Sequence, residues 1–321
     1  MPLTPPPPDG SPRSARRAVS AVCAAILTVL AAGCADAPEK PVLIRIATGS
    51  PTAVYYAFGQ SLVTIINREI PGVRASVVVT AASAENVELV SQGGAELGFT
   101  QADTLPATAG ASPAVLGVAR LYDDLLHLVV RADRPIRRLA DLRGRTVSVG
   151  APGSGTEITA NRLLDVAGLT PGSVDTRRLG LDASVAALES GEIDGFIFSG
   201  GLPVQAVAEL VRRTPARIVD LGEWTEPLRR DYSQVYVNRD IPTSVYGLPP
   251  VTTVADPNYL VVSADLPQHL VYELTRLLME RRIELGRAHP AAGRMSIQSA
   301  IATAPLPLHP GAAEYYRASK P

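Results

Sequence analysis

Glycine and hydroxyl residues are concentrated in residues 150–156, whose sequence is GAPGSGT. Residues 146–149 are typical of a short buried strand, and residues 157–166 carry apolar side chains at helical spacing. A glycine-rich turn between a strand and a helix leaves several backbone N–H groups free at the helix start. Together with the hydroxyls of Ser154 and Thr156 and the backbone of Gly155, these groups would bind an anion.

Turns of this kind also serve as plain connections in α/β proteins, and two catalytic interpretations of this one fail. No lysine follows the last glycine, which excludes a phosphate-binding P-loop. Pro152 stands where a nucleophile elbow around Ser154 requires its first glycine. The turn therefore predicts binding, or simple connection, rather than catalysis.

A second turn of the same type occurs earlier in the chain. It lies between a strand predicted at residues 42–47 and a helix predicted at residues 54–69. Two such turns predict two lobes that each offer a polar helix start to one ligand. The candidate residues of this turn and helix start are Thr48, Gly49, Ser50, Tyr55 and Tyr56.

Further polar residues fall at the ends of strands predicted at residues 75–80 and 97–101. Strands alternating with helices predict a parallel sheet, and ligands bind such sheets beyond the carboxyl ends of the strands. Ser83 also suits the N-cap of a helix that runs to about residue 92. The candidates here are Ser83, Asn86, Gln101 and Asp103, and Tyr246 is a further candidate in the less regular segment at 232–250.

The predicted elements divide the chain into two lobes. Residues 42–126 form lobe 1, residues 127–258 form lobe 2, and residues 259–321 return to lobe 1. Strands at 125–131 and 259–263 lead out and back, and therefore form a two-strand hinge. The remaining predicted elements are strands at 146–149, 175–179, 195–198 and 218–221, and helices at 184–190, 203–212 and 267–287.

The composition excludes several classes of function. The 321 residues include 30 basic and 31 acidic side chains, a net charge of -1, which provides no basic surface for nucleic acid. The four histidines lack the spacing of metal ligands, and the sequence has no paired carboxylates and no Ser, His and Asp residues in an order that suggests catalysis. We therefore expect a monomer with no metal, no other cofactor, no nucleic-acid partner and no enzymatic activity.

The N-terminus is typical of an export signal. Arg13, Arg16 and Arg17 precede an apolar run at residues 18–32, which is short for a membrane span and suitable for a signal-peptide core. The run ends in the sequence AAGC, which resembles a bacterial lipobox and predicts lipid on Cys34. Ordinary secretory cleavage nearby is the alternative.

These features predict the processing of the chain. Residues 1–34 form a signal peptide with a disordered leader at 1–14, and residues 35–41 form a tether. Lipid on Cys34 would anchor the protein to the outer face of the cell membrane, or the protein would be periplasmic. The other cysteine, Cys23, lies inside the signal, so the mature domain has no thiol for a disulfide or a metal.

Taken in order, the motifs of the mature chain resemble those of the TAXI-type solute-binding proteins of tripartite ATP-independent periplasmic (TRAP) transporters. The resemblance implies an α/β fold of the type II periplasmic-binding-protein kind, with two lobes of parallel or mixed sheets joined by a two-strand hinge. It also implies capture of a small organic anion, such as an acidic amino acid, a dicarboxylate or a 2-oxo acid, for delivery to a TRAP membrane permease. The matching segments are residues 48–51, 54–56 with Gly59, 83–86, 98–103, 142–150, 153–156, 191–195, 200–203 and 308–316.

The resemblance also implies a set of ligand contacts. Ala53 departs from the glycine that the family has before its Val-Tyr-Tyr segment, and a Cβ there would narrow the entrance. The motif turns contain no lysine or arginine directed at the cleft, so we expect backbone N–H groups and hydroxyls to hold a carboxylate, unless Arg45 points inward. An ABC-type binding protein or a ligand-sensing lipoprotein of the same fold is the alternative. The implied contacts are Ser50, Tyr55, Tyr56, Ser83, Asn86, Gln101, Ser154, Gly155 and Thr156.

Overall fold

The computed structural model describes residues 1–5, 41–51, 53–105, 114–169, 171–291, 293 and 295–319. Residues 42–321 form one compact unit, and residues 1–41 form a separate one. The expected signal-peptide core, Cys34 and all of the tether except Pro41 lie outside the described residues. Within the described part of the chain, no helix is both long and apolar enough to span a membrane.

The compact unit is built on one ten-stranded sheet with the order β2-β1-β3-β10-β4-β7-β5-β6, in which β8 also pairs with β4 and β9 with β10. The strands are β1 (Val42–Ala47), β2 (Val73–Val78), β3 (Leu97–Gln101), β4 (Val115–Arg131), β5 (Thr146–Ser148), β6 (Asp175–Arg177), β7 (Gly195–Gly200), β8 (Ala216–Val219), β9 (Val237–Ile241) and β10 (Val251–Ser263).

Helices cover the sheet and join its parallel strands. The helices are α1 (Val54–Glu69), α2 (Ser83–Ser91), α3 (Gly155–Val166), α4 (Leu181–Ser190), α5 (Gln205–Arg213), α6 (Thr225–Asp231), α7 (Thr243–Tyr246), α8 (Gln268–Glu280), α9 (Arg282–Ala288), α10 (Ile297–Ala300) and α11 (Pro310–Ala318). Short 3-10 turns occur at Ala102–Thr104, Leu139–Leu142 and Gly222–Trp224.

Two parallel regions of the sheet are joined by two long antiparallel strands. In lobe 1, β1 pairs in parallel with β2 and β3, and in lobe 2, β5 pairs in parallel with β6 and β7. Between them β4 pairs antiparallel with β10, which itself pairs with β3, while β4 continues onto β7. The predicted two-lobed α/β fold with two hinge strands is therefore confirmed, although one mixed sheet replaces two separate ones.

Each lobe has its own hydrophobic core. In lobe 1, Phe58 of α1 and Phe99 of β3 pack with Leu277 of α8 in a cluster that also includes α11. In lobe 2, Leu163 of α3 and Phe196 of β7 belong to two clusters on the two faces of the sheet. Parallel strands that are buried on both faces are typical of α/β folds.

The structure corrects several predicted bounds. The hinge strands are much longer than predicted, because β4 begins at Val115 and β10 at Val251. The segment at 232–250 contains β9 and α7, and the helix predicted at 267–287 is divided at Arg281. The predicted N-cap role of Ser83 is wrong: Ala82 is the N-cap residue and Ser83 is the first residue of α2, where its hydroxyl accepts a hydrogen bond from the Gln101 N–H instead.

Candidate functional site

The starts of four helices converge on one cavity of about 110 Å³ between the lobes. At roughly 10–15 Å³ per water, it has room for a ligand the size of several water molecules. Helices α1 and α2 come from lobe 1, and α3 and α4 come from lobe 2. The lining residues at these starts are Ser50, Ala53, Val54 and Tyr55 for α1, Ala81, Ala82 and Ser83 for α2, Gly150, Ala151, Ser154, Gly155 and Thr156 for α3, and Leu179, Gly180, Leu181 and Ser184 for α4.

Three of these helices begin without a side-chain cap. Their N-cap residues are Ala53, Ala82 and Gly180, none of which supplies a side-chain oxygen to the helix. The first N–H groups of a helix have no partner within the helix, and its N-terminus carries a partial positive charge. Because all three starts line the cavity, a bound anion there would lie at the positive ends of these helices.

Helix α3 begins in the glycine-rich turn that the sequence singled out. Ser154 is its N-cap residue, accepting a hydrogen bond from the Glu157 N–H at 3.1 Å and donating one to the Ala151 carbonyl at 2.7 Å. Gly150 has φ +101°, which disfavours a residue with a side chain. A Cβ at Gly155 would overlap the side-chain oxygen of Gln101, so only glycine allows this close approach.

The start of α4 is a part of the site that the sequence analysis missed. Gly180 and Leu181 lie on the cavity wall, and the Ser184 hydroxyl is 2.8 Å from the Ser148 hydroxyl of β5. Glycine between a strand region and an apolar helix was the available signal, but it is a weak one because such turns are common.

Polar contacts hold the lining residues in place, and one of these contacts crosses from lobe 1 to lobe 2. Gln101 at the end of β3 donates through Nε2 to the Ser199 hydroxyl of β7 at 2.5 Å. The Ser199 N–H donates to the Thr156 hydroxyl at 3.2 Å. Tyr55 stacks on Phe99 with ring centroids 5.2 Å apart, and its hydroxyl donates to the Asn258 side-chain oxygen. These contacts fix the lining side chains and join the two lobes.

Hinge strand β4 adds Tyr122 and Asp124, which the sequence analysis also missed. Both line the cavity, and they are only 8% and 5% exposed. The Tyr122 hydroxyl and the Asp124 Oδ1 have no hydrogen-bond partner in the described structure. Burial raises the pKa of the Asp124 carboxyl to about 7, and burial also raises the pKa of the Tyr122 hydroxyl. None of the described lining residues is Lys, Arg or His.

Seven of the candidate residues line this cavity, and the others lie elsewhere. The lining candidates are Ser50, Tyr55, Ser83, Gln101, Ser154, Gly155 and Thr156. Those outside the lining are Thr48, Gly49, Tyr56, Asn86, Asp103 and Tyr246.

Thr48, Gly49 and Asn86 support the first turn from behind. The Thr48 hydroxyl donates to the Val78 carbonyl, and the Asn86 amide donates to the carbonyls of Thr48 and Phe99. Gly49 is buried beside these hydrogen bonds and next to Ala82. These residues hold the β1–α1 and β2–α2 turns together, so they position the site without lining it.

Tyr56, Tyr246 and Arg45 point away from the cavity. The Tyr56 hydroxyl accepts a bond from the Gln60 amide on the exposed side of α1. The Tyr246 hydroxyl lies 3.0 Å from Nε2 of His127 and accepts the Val204 N–H, within the core of lobe 2. Burial lowers the pKa of His127 to about 4. Arg45 pairs with Glu96 at 2.6 Å on the surface, so it does not supply a cation to the site.

Asp103 joins the lobes at a position beside the cavity. Its Oδ2 accepts bonds from the Thr159 hydroxyl of α3 at 2.7 Å and the Tyr236 hydroxyl at 2.6 Å. Arg162 lies 3.3 Å from the same oxygen and donates to the Asp103 carbonyl at 2.9 Å. Asp256 of β10 accepts the Asp103 N–H, and burial raises the pKa of Asp256. Among the described residues, no group of three or more His, Cys, Asp and Glu is placed to hold a metal ion.

Two α/β lobes, two antiparallel hinge strands and a cavity lined by helix starts define the type II periplasmic-binding-protein fold. Residues 46–318 match the model of the NMT1-like family, and the chain belongs to that family.

Solved structures share the fold at low sequence identity. PhnD1 from Prochlorococcus marinus (MIT 9301), in complex with methylphosphonate, matches with a TM-score of 0.54 and 12% identity over 79% of this chain and 90% of that one. A putative L-cystine ABC transporter from Listeria monocytogenes matches with a TM-score of 0.50 and 12% identity over 79% of this chain and 95% of that one. The periplasmic aliphatic sulphonate binding protein SsuA from Escherichia coli has 17% identity over 88% and 80% of the two chains, with a TM-score of 0.47.

Proposed function

We propose that the protein is an extracytoplasmic solute-binding protein that holds a small organic solute by a carboxylate and delivers it to a membrane permease. One observation carries the proposal: four helix starts, three of them without a side-chain cap, converge on one small cavity between two lobes. Free N–H groups at helix N-termini bind anions, and the Ser83 and Thr156 hydroxyls line the same space.

The expected strength of binding follows from the donors present. The lining has no basic side chain, so a carboxylate would be held by backbone N–H groups and hydroxyls. Hydrogen bonds to a charged acceptor contribute about 1.5–3 kcal/mol each in net terms. Three or four of them support affinity of about micromolar once the costs of closure and ordering are subtracted.

Binding is coupled to closure of the lobes. The Gln101–Ser199 and Asp103–Thr159 contacts join lobe 1 to lobe 2 on either side of α3. A ligand that touches helix starts from both lobes favours the closed form, because it gains contacts there that the open form lacks. The lobe boundaries near residues 126 and 258 are part of this proposal. The polar lining consists of hydroxyls, amides, phenols and one carboxylate, so we propose binding without chemistry.

The permease class rests on the sequence resemblance. We propose a TRAP-type permease, an export signal at residues 1–34 and a lipid anchor on Cys34. An ABC-type permease is the second candidate, because the Listeria protein that shares the fold is described as an ABC transporter component. Affinity capture of the membrane subunits with the lipid-bearing protein distinguishes the two, since a TRAP permease copurifies without an ATPase subunit.

A thermal-shift screen of the purified protein tests the binding proposal. The panel holds monocarboxylates, dicarboxylates, 2-oxo acids and amino acids, with neutral sugars and simple amines as controls. A ligand at 100 times its dissociation constant stabilises by about 2.7 kcal/mol, which a melting curve resolves. We expect shifts only with compounds that carry a carboxylate. Shifts from sugars or amines alone would refute the proposal.

A pair of variants locates the binding site. Ala53→Asp places a carboxylate at an uncapped helix start in the cavity, where it caps α1 and occupies the donors that the ligand needs. We expect it to leave the protein folded and to abolish binding in calorimetry. Pro267→Asp is the matched control, because it adds the same group at the exposed, uncapped start of α8, outside the cavity. Equal affinity for both variants would remove α1 from the site.

A further inference from the structure

We propose that the cavity binds its ligand as a zwitterion, with the ligand ammonium at Asp124 and Tyr122 and the ligand carboxylate at the helix starts. The ligand class is then a small amino acid with an uncharged side chain, rather than a dicarboxylate or an acidic amino acid. This inference rests on the proposed function, because it assigns the rest of the ligand at the same site.

Tyr122 and Asp124 of β4 each carry a polar atom that has no partner in the described structure. Residues two apart in a strand point to the same face, which places Tyr122 and Asp124 side by side on the cavity wall. The Tyr122 hydroxyl and the Asp124 Oδ1 are buried without a partner in the described structure. Buried polar atoms in native proteins are nearly always hydrogen-bonded, so these two atoms are available to accept hydrogen bonds from a ligand in the cavity.

The described residues that line the cavity carry one acidic side chain and no basic one. Asp124 is the one carboxylate among the described lining residues, and none of them is Lys, Arg or His. A buried carboxylate with no cation beside it is costly. A ligand with two carboxylates would add like charge next to Asp124 and would find no cationic side chain for its second group. A ligand ammonium supplies the missing positive charge.

The groups that face Asp124 support a cationic partner. Burial is the main cause of its raised pKa, the charges of Asp123 and Asp103 raise the pKa further, and the neighbouring Asn258 lowers it. Asp256 lies opposite it in the β10 register, and the Tyr55 and Tyr122 hydroxyls complete the surroundings. No cationic side chain is part of this set, and burial holds the pKa of Asp124 at about 7.

The rest of the cavity wall is mainly apolar. Val54, Leu181, Phe196 and Phe198 are among the residues that line the cavity beside the helix starts and β4. Such a wall favours a small hydrocarbon side chain on the ligand and penalises a polar group that it cannot satisfy. The cavity of about 110 Å³ has room for an amino acid of the size of alanine or valine.

Isothermal titration with a matched set of compounds tests this inference. L-valine, isovalerate and isobutylamine share one hydrocarbon skeleton and differ in which charged group they carry. We expect L-valine or L-alanine to bind about tenfold or more tightly than isovalerate, L-glutamate or succinate, because only the small zwitterions satisfy both ends. In Asp124→Asn we expect L-valine to lose about tenfold or more, so that its advantage over isovalerate disappears.

Proton release gives a second readout that does not depend on affinity. Asp124 is mostly protonated in the free protein at pH 6, and a neighbouring ammonium lowers its pKa. L-valine binding at pH 6 should therefore release about one proton, as measured in buffers of different ionisation enthalpy, and its affinity should rise from pH 5 to pH 7. Isovalerate should release none, and neither ligand should do so with Asp124→Asn.

Asp123→Asn is the control variant for this test. Asp123→Asn removes a neighbouring charge whose side chain instead pairs with Arg120 and Arg239, and it should leave L-valine affinity within about twofold. If isovalerate or succinate binds as tightly as L-valine and Asp124→Asn changes nothing, the zwitterion inference is wrong while the binding proposal stands. If no compound with a carboxylate binds, the proposed function fails and the inference fails with it.

Discussion

At the scale of single residues, Ser154 has a structural role that must be separated from ligand binding. Its hydroxyl caps α3 by accepting the Glu157 N–H. Ser154→Ala should therefore lower the free energy of unfolding by about 1 kcal/mol, the usual cost of losing such a cap. If the hydroxyl also faces the ligand, binding should weaken about tenfold. Urea denaturation and calorimetry measure the two effects separately.

Ser154→Asp separates the capping role of Ser154 from ligand binding, because aspartate also caps helices. It should keep most of the stability that Ser154→Ala loses. It also places a negative charge at the start of α3 on the cavity wall, where it repels a carboxylate. We expect stability near that of the natural protein and no measurable binding. Normal affinity in Ser154→Asp would show that the start of α3 does not contact the anion.

The strand-to-helix turns were accessible to sequence reasoning, and the hinge residues were not. Ser83, Gln101 and Gly155 could be grouped because parallel strands place their carboxyl ends at one edge of a sheet. Asp124 and Tyr122 could not be assigned to the site from the sequence. The acidic pair at 123–124 interrupts an apolar run and is typical of a turn. Pairing with β10 keeps these residues in a strand, and no local pattern shows that pairing.

At the scale of elements, the start of α2 stores backbone strain beside the cavity. Ala82 has φ +93° and ψ -139°, a region that residues other than glycine rarely occupy. Its N–H donates to the Thr80 hydroxyl and its carbonyl accepts the Asn86 N–H, so the surroundings hold it in place. Ala82 itself lines the cavity.

Ala82→Gly should stabilise the protein. Glycine adopts this conformation without the Cβ penalty, so the free energy of unfolding should rise by about 1 kcal/mol and the melting temperature by about 2–4 °C. Differential scanning calorimetry measures both. The matched variant is Ala81→Gly, at a residue without positive φ, which should be neutral or destabilising because glycine gains entropy in the unfolded chain. A loss of stability in Ala82→Gly similar to that in Ala81→Gly would show that Ala82 is not strained.

Long strands are the elements that sequence reasoning predicted least well. The apolar parts of β4 and β10 were predicted, whereas residues 115–124 and 251–258 were not, since they contain Gly117, Arg120 and Asp256 among apolar residues. Such strands are stabilised by their neighbours in the sheet rather than by their own periodicity. These two strands form the hinge, and their mixed composition brings polar groups to the point where the lobes meet.

At the scale of the whole molecule, the contacts of Asp103 form a latch between the lobes. Asp103 follows β3 in lobe 1, while Thr159 and Arg162 belong to α3 and Tyr236 precedes β9 in lobe 2. The Asp103 side chain is completely buried, and its Oδ2 contacts all three residues. Since the latch lies outside the cavity lining, it joins the lobes without touching a ligand in the cavity.

Tyr236→Phe should weaken this latch and leave the cavity lining unchanged. The change removes the bond to the Asp103 carboxylate and the bond that the hydroxyl accepts from Arg162, and it should lower the free energy of unfolding by about 1.5–3 kcal/mol. Because the closed form then becomes less populated, ligand affinity should fall although no ligand contact is lost, and small-angle scattering of the free protein should show a larger radius of gyration. Tyr232→Phe is the control: it removes a comparable phenol–carboxylate bond, to Asp165 of α3, at an exposed site within lobe 2, and should change stability by no more than about 0.5 kcal/mol. Unchanged affinity and scattering in Tyr236→Phe would mean that closure does not depend on Asp103, and that the Gln101–Ser199 contact and the ligand itself hold the lobes together.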